Sequence, residues 1–170
     1  FQGWNDMVAS GTYPNRGQPG GYDAYTDCLA HFIRDVRKDL DAPKMKFVIG
    51  VMGVGGPLEQ YASQRYVPIH GAFREAMAAP SLMPEFKGNV FAVRTAKFWD
   101  MRLKELEDNQ ERVKQMAGFL KNKHKEHANR DGSMSVSEQK EYVEQYRRKL
   151  ISTEDDAYAK MARSNGGYHY

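Results

Sequence analysis

The stretch Lys46-Phe47-Val48-Ile49-Gly50-Val51-Met52 constrains this chain more than any other. It is a short, nearly unbroken apolar run. That pattern suits a parallel strand buried on both faces. Gly53-Val54-Gly55-Gly56-Pro57 follows at once, so the chain turns at the strand's carboxyl end. Ligands of open α/β sheets sit outside the carboxyl ends of the strands, which places these glycines where they can line a pocket. They are not a phosphate loop, because neither a G-K-[ST] nor a G-x-G-x-x-G ending is completed.

The flanking segments fit such a strand. Tyr22, Tyr25, Leu29, Phe32, Val36 and Leu40 recur at steps of three and four, which predicts an amphipathic helix from about Asp23 to Asp39. Asp41-Ala42-Pro43 stops it. His31 falls on the helix surface, and the single cysteine, Cys28, reads as a core thiol. Pro68 to Ala79 predicts a second helix with Ile69, Phe73 and Met77 on one face, His70 being a surface or capping residue near its start. Asn89 to Ala96 is a second β-rich run. Helix, strand, helix, strand implies a parallel sheet covered by helices. The expected fold class is α/β, a three-layer parallel sheet of flavodoxin-like type carrying a helical insertion.

From Arg102 onward the pattern is helical and polar. Leu103, Leu106, Val113, Met116 and Leu120 mark one helix, Tyr142, Val143 and Tyr146 a second over 137–150, and Tyr158 and Met161 a third. The expected organisation is a core over 1–101, a helical insertion or lid over 102–163, and a loop over 164–170.

Bulk properties exclude several classes. The net charge of +3 is small and Lys/Arg alternate with Asp/Glu, which argues against a nucleic-acid stripe. No apolar run reaches the length of a membrane span. Residues 127–138 place Asn129, Asp131, Gly132, Ser135 and Glu138 at EF-hand positions three, five, six, nine and twelve, but His127 stands at position one, where a hard anionic ligand is needed. A helix–turn–helix connection turning at Gly132 explains the same residues. His124 and His127 have no cysteine or third histidine nearby, so no metal site is assigned.

The chemistry-bearing motifs lie at the two ends. Gly3-Trp4-Asn5-Asp6 is a G-x-N-D turn. Glycine permits a sharp turn, and Asn5 can aim a side-chain N–H at a developing oxyanion. Gly167-Tyr168-His169-Tyr170 closes the chain with a loop histidine able to act as a general base. No serine stands in G-x-S-x-G or in a Gly-Asp-Ser turn, and Cys28 in mid-helix is a poor nucleophile.

Gln2-Gly3-Trp4-Asn5-Asp6, the Tyr-rich helix ending in Asp35-Val36-Arg37-Lys38-Asp39-Leu40, and Phe47-Val48-Ile49-Gly50 together resemble the second half of a sialate O-acetylesterase domain. That family belongs to the SGNH hydrolases and is similar to carbohydrate esterase family 6. Gly3-Trp4-Asn5-Asp6 resembles the block whose Asn donates to the oxyanion, and Gly167-Tyr168-His169-Tyr170 the block that carries the catalytic His. The resemblance covers residues 1–100 and 164–170.

It implies a serine-type acetylesterase acting on an acetylated carbohydrate, with His169 as base and Asn5 and Gly3 in the oxyanion turn. Gln2 and Trp4 would contact substrate. No metal or organic cofactor is implied, and secretion or a periplasmic location follows by analogy. Two departures stand out. The family's nucleophilic Ser would precede Phe1, so the chain reads as a fragment that is inactive alone. Gly166 occupies the place of the acid that orients the His, leaving Asp100 or Asp6 as substitutes. A non-catalytic carbohydrate-binding or interaction module is the alternative.

Overall fold

The computed structural model describes residues 3–61 and 64–164. The chain forms two compact units that divide between Trp99 and Asp100.

In the first unit, α1 (Trp4–Val8) leads through a loop to α2 (Asp23–Asp39), then β1 (Phe47–Val51), α3 (Val67–Ala78) and β2 (Val90–Arg94). Tyr22, Tyr25, Ala30, Ile33 and Arg37 bury the inner stripe of α2. Phe32 and Leu40, expected on that stripe, are exposed. Cys28 is exposed rather than a core thiol, because it lies three residues from Tyr25 on the side that turns away from Ile33. Arg37 and Lys38 in the last turn favour the helix dipole. The helix then closes in a Schellman motif: Ala42 N–H donates to Arg37 O at 2.8 Å, Asp41 N–H to Lys38 O at 3.1 Å, and Asp41 takes φ 48°.

β1 and β2 pair in parallel, with Phe47 opposite Val90 and Val51 opposite Arg94. Ile49, Val51 and Val90 face a core of Met7, Tyr22, Tyr25, Ile33, Phe73, Met77 and Phe86. The Phe73 ring meets Tyr22 and Tyr25 at centroid distances of 4.9 and 4.6 Å, spacings at which aromatic pairs add to simple burial. Arg37 ties the entry of β1 to that of β2. Its Nε and Nη2 donate to Met45 O at 3.0 and 2.7 Å, and Nη2 to Asn89 Oδ1 at 2.7 Å. Its guanidinium lies 5.8 Å from the Phe47 ring and 5.4 Å from that of Phe86.

The expected three-layer parallel sheet is not what forms. Helix accounts for 61% of the structure, and the strands among the described residues are the two of one small sheet. Only the two apolar runs offer strand-length segments. The face opposite the core is also not covered as expected: Val48, Phe91 and Val93 are 67%, 46% and 43% exposed. The apolar run of β1 was correctly a strand, but its continuous hydrophobicity does not correspond to burial on both sides.

The second unit consists of α4 (Met101–Lys121), α5 (Val136–Leu150) and α6 (Thr153–Ser164). Asp100 caps α4, its Oδ1 accepting from Leu103 N–H at 2.9 Å. Leu103, Leu106, Ile151 and Ala159 form the small core. Ser135 and Glu138 make a reciprocal capping box at the start of α5. The EF-hand-like register has a structural account. Asn129 is 2% exposed; its Nδ2 donates to Leu120 O and its Oδ1 accepts from Met134 N–H, both at 2.9 Å. Asp131 accepts from the backbone and hydroxyl of Ser133. The side chains that would face an ion instead hold the turn.

Candidate functional site

Gly3 sits where only glycine fits. Its φ is 131°, and a Cβ there would lie 2.7 Å from Phe73 Cζ and 2.9 Å from Tyr25 Oη. The positive φ disfavours any L side chain, and the buried rings leave no room to relax. Gly3 O accepts from Met7 N–H at 2.9 Å, which starts α1. Trp4 and Asn5 then stand exposed on its first turn. Asn5 engages neighbours through its carbonyl, which accepts from Ala9 N–H at 2.9 Å; its side-chain amide makes no hydrogen bond among the described residues. Gln2 and His169 lie outside the described residues.

Beneath the turn is a tyrosine cluster. Tyr22 hydroxyl donates to Met7 O at 2.8 Å, and the Asp6 carboxylate lies close enough to Tyr13 for its charge to act on the phenol. Burial, reinforced by the charge of Asp6, pushes Tyr25 up to about 12. Burial is likewise the main cause that raises Tyr13 and Tyr22. All three phenols are therefore neutral at physiological pH, and Tyr22 ties the core to α1 through Met7 O. Of the two substitute acids, Asp100 is committed to the α4 cap and the Tyr158 hydroxyl.

A second feature lies at the carboxyl ends of β1 and β2, as expected of ligand sites in parallel sheets. A cavity of about 320 Å³ is bounded by Val51 and Met52 from β1 and its exit, Pro57 and Leu58 from the following loop, and Gly71 and Arg74 from α3, with Arg94 to Lys97 closing it from β2. Gly53 lets the two strand exits approach: a Cβ there would meet Ala96 N at 2.5 Å. The Glu75 carboxylate accepts from Arg94 Nη1 and Nη2, both at 2.8 Å, and this pairing holds Glu75 below its usual range. α3 serves both features, Phe73 closing on Gly3 and Gly71 and Arg74 facing the cavity.

Arg74, Tyr61 and His70 pin the loop that forms the cavity's edge. Arg74 Nη2 donates to Val54 O and Gly56 O at 2.9 Å and to Tyr61 Oη at 3.1 Å. Tyr61 hydroxyl donates to Val54 O at 2.5 Å. Its oxygen then accepts from His70 Nδ1 at 2.8 Å, which assigns the proton to Nδ1 and leaves Nε2 with a lone pair. Burial lowers the His70 pKa first, the Arg74 charge lowers it further, and the nearby Val54 carbonyl works against both. His70 is thus a half-buried, neutral imidazole of fixed tautomer, not the surface or capping residue expected from sequence. The separation of His70 and Arg74 by one helical turn was legible; their meeting with Tyr61 was not, because it depends on how the glycine loop folds back.

Comparison with protein-family models, with curated proteins and with solved structures returned no match.

Proposed function

We propose that this chain contributes the oxyanion side and the general base of a serine-type carbohydrate O-acetylesterase of the sialate O-acetylesterase kind. The observation that supports this most is the Gly3–Asn5 turn. A glycine held at φ 131° against Phe73 and Tyr25 begins α1, and Asn5 stands exposed with its side-chain amide unused among the described residues. A supported turn that presents an unspent N–H donor is what stabilisation of a tetrahedral oxyanion requires.

On this reading the nucleophilic serine is supplied from outside these 170 residues. Its hydroxyl attacks the acetyl carbonyl while His169 takes the proton. Asn5 Nδ2 donates to the oxyanion as the tetrahedral intermediate forms. His169 then returns the proton to the sugar oxygen as the acyl-enzyme forms, and water, activated by the same imidazole, releases acetate. Gln2 and Trp4 are the proposed substrate contacts.

The test is steady-state kinetics on an acetylated sugar with the protein that carries the serine. Asn5→Ala lowers kcat by about a hundredfold to a thousandfold with little change in KM. The 170 residues alone give no hydrolysis of p-nitrophenyl acetate above a His169→Ala control. An Asn5→Ala enzyme within twofold of the parent would refute the oxyanion role, and retained sugar binding in that case would favour a non-catalytic module.

A further inference from the structure

We propose that Arg74 and the cavity it lines bind the carboxylate of a small organic anion with an apolar body. Arg74 is 6% exposed, and a buried charge is normally paired. Among the described residues no carboxylate pairs with it; the neighbouring Glu75 is engaged by Arg94. Its hydrogen bonds run from Nη2 to two carbonyls and the Tyr61 hydroxyl. Nε and Nη1, the latter with two N–H groups, make none among the described residues. No sealed side-chain nitrogen or oxygen of the described residues lacks a partner, so these two atoms are not fully sealed, and Arg74 lines the cavity.

Arg37 shows what a purely structural buried arginine looks like in the same unit. It too has no carboxylate partner and no hydrogen bond from Nη1 among the described residues, but it lies near the rings of Phe47 and Phe86, spends Nε and Nη2 on Met45 and Asn89, and is not among the residues that line the cavity, which is what sets Arg74 apart.

The rest of the cavity selects the ligand. Val51, Met52, Pro57, Leu58 and Ala96 offer an apolar bed. The charged lining is Arg74, Arg94 and Lys97 against Glu59 and Glu75, three positive to two negative, an excess of one. A monoanion balances that excess, whereas a phosphate dianion overshoots it. A charge-assisted bond from Arg74 to a carboxylate in this partly desolvated site is stronger than its counterpart in water. The inference stands apart from the acetylesterase reading, since neither Asn5 nor His169 enters it.

Sodium benzoate tests it, with benzamide as the neutral isostere and inorganic phosphate as the competing anion. Binding is followed by NMR of the His70 imidazole, which lies in the field of Arg74. Benzoate gives saturable shifts with a Kd of about 1 mM or tighter and raises the His70 titration midpoint, because the bound anion cancels part of that field. Benzamide leaves the midpoint unchanged. Arg74→Gln weakens benzoate at least about tenfold. Leu58→Trp, which fills the cavity and keeps Arg74, does the same, and decides the matter if the Arg74 variant does not fold. Equal binding of benzamide, tighter binding of phosphate, or no saturable shift at about 20 mM benzoate overturns the proposal.

Discussion

Gly3 and Phe73 are packed so closely that a methyl group on the Gly3 Cα would lie 2.7 Å from Phe73 Cζ. Phe73 is fully buried and cannot give way. Gly3→Ala therefore combines a positive-φ cost with overpacking, and we expect a loss of about 2–4 kcal/mol in stability of the first unit. Urea denaturation followed through the buried tyrosines measures it. A loss below about 0.5 kcal/mol would mean that the turn is not held as described.

Asn5 behaves differently although it lies two residues away. Its side chain is exposed and unbonded among the described residues, so Asn5→Ala should leave stability within about 0.5 kcal/mol. Under the proposed acetylesterase function, the same substitution costs the protein that carries the serine most of its rate. Thermal melts and kinetics on one sample separate the two effects, and a large drop in Tm would undermine the functional use of this variant.

His70 makes stability depend on pH with a definite sign. Burial and the Arg74 charge hold its folded pKa below the ordinary 6.5. The unfolded chain then binds the proton more readily, so stability rises with pH between the folded and unfolded values. The contribution is fully present above 6.5 and is lost as pH falls through the folded pKa. Melting temperatures between pH 7.5 and 5 should fall on acidification, and His70→Gln should flatten that profile. An unchanged profile in His70→Gln would remove His70 as the cause.

Asn129 supports the α4–α5 connection from inside. Asn129→Ala strands the Leu120 carbonyl and the Met134 N–H in a buried place, a loss of about 2–4 kcal/mol. Hydrogen exchange should show faster opening of residues 120–135 without any calcium dependence. Protection restored by calcium would revive the EF-hand alternative for residues 127–138.

Much of the local structure was written in the sequence. The apolar runs at 47–51 and 90–94 became strands, and the periodic segments at 23–39 and 67–78 became helices, because period and terminating residues act over a few positions. The glycines after β1 marked the end of the sheet at which the cavity opens, but Gly53, Gly55 and Gly56, expected to line a pocket, are not among the residues that line this one. Gly3 was also legible, as a residue whose backbone freedom would matter.

Only the tertiary structure decided the rest. Whether Phe32 and Cys28 face the core depends on which stripe of α2 meets α3, and several stripes satisfy a three-four spacing. The sheet stops at two strands with Val48, Phe91 and Val93 open, although an apolar run reads the same whether one face or two are covered. Tyr61, His70 and Arg74 converge through a glycine loop whose path no periodicity encodes. Sequence patterns register local backbone preference and hydrophobicity. The partners of a buried charge such as Arg74 are set by long-range packing, and that is where the unspent donors of this protein came to light.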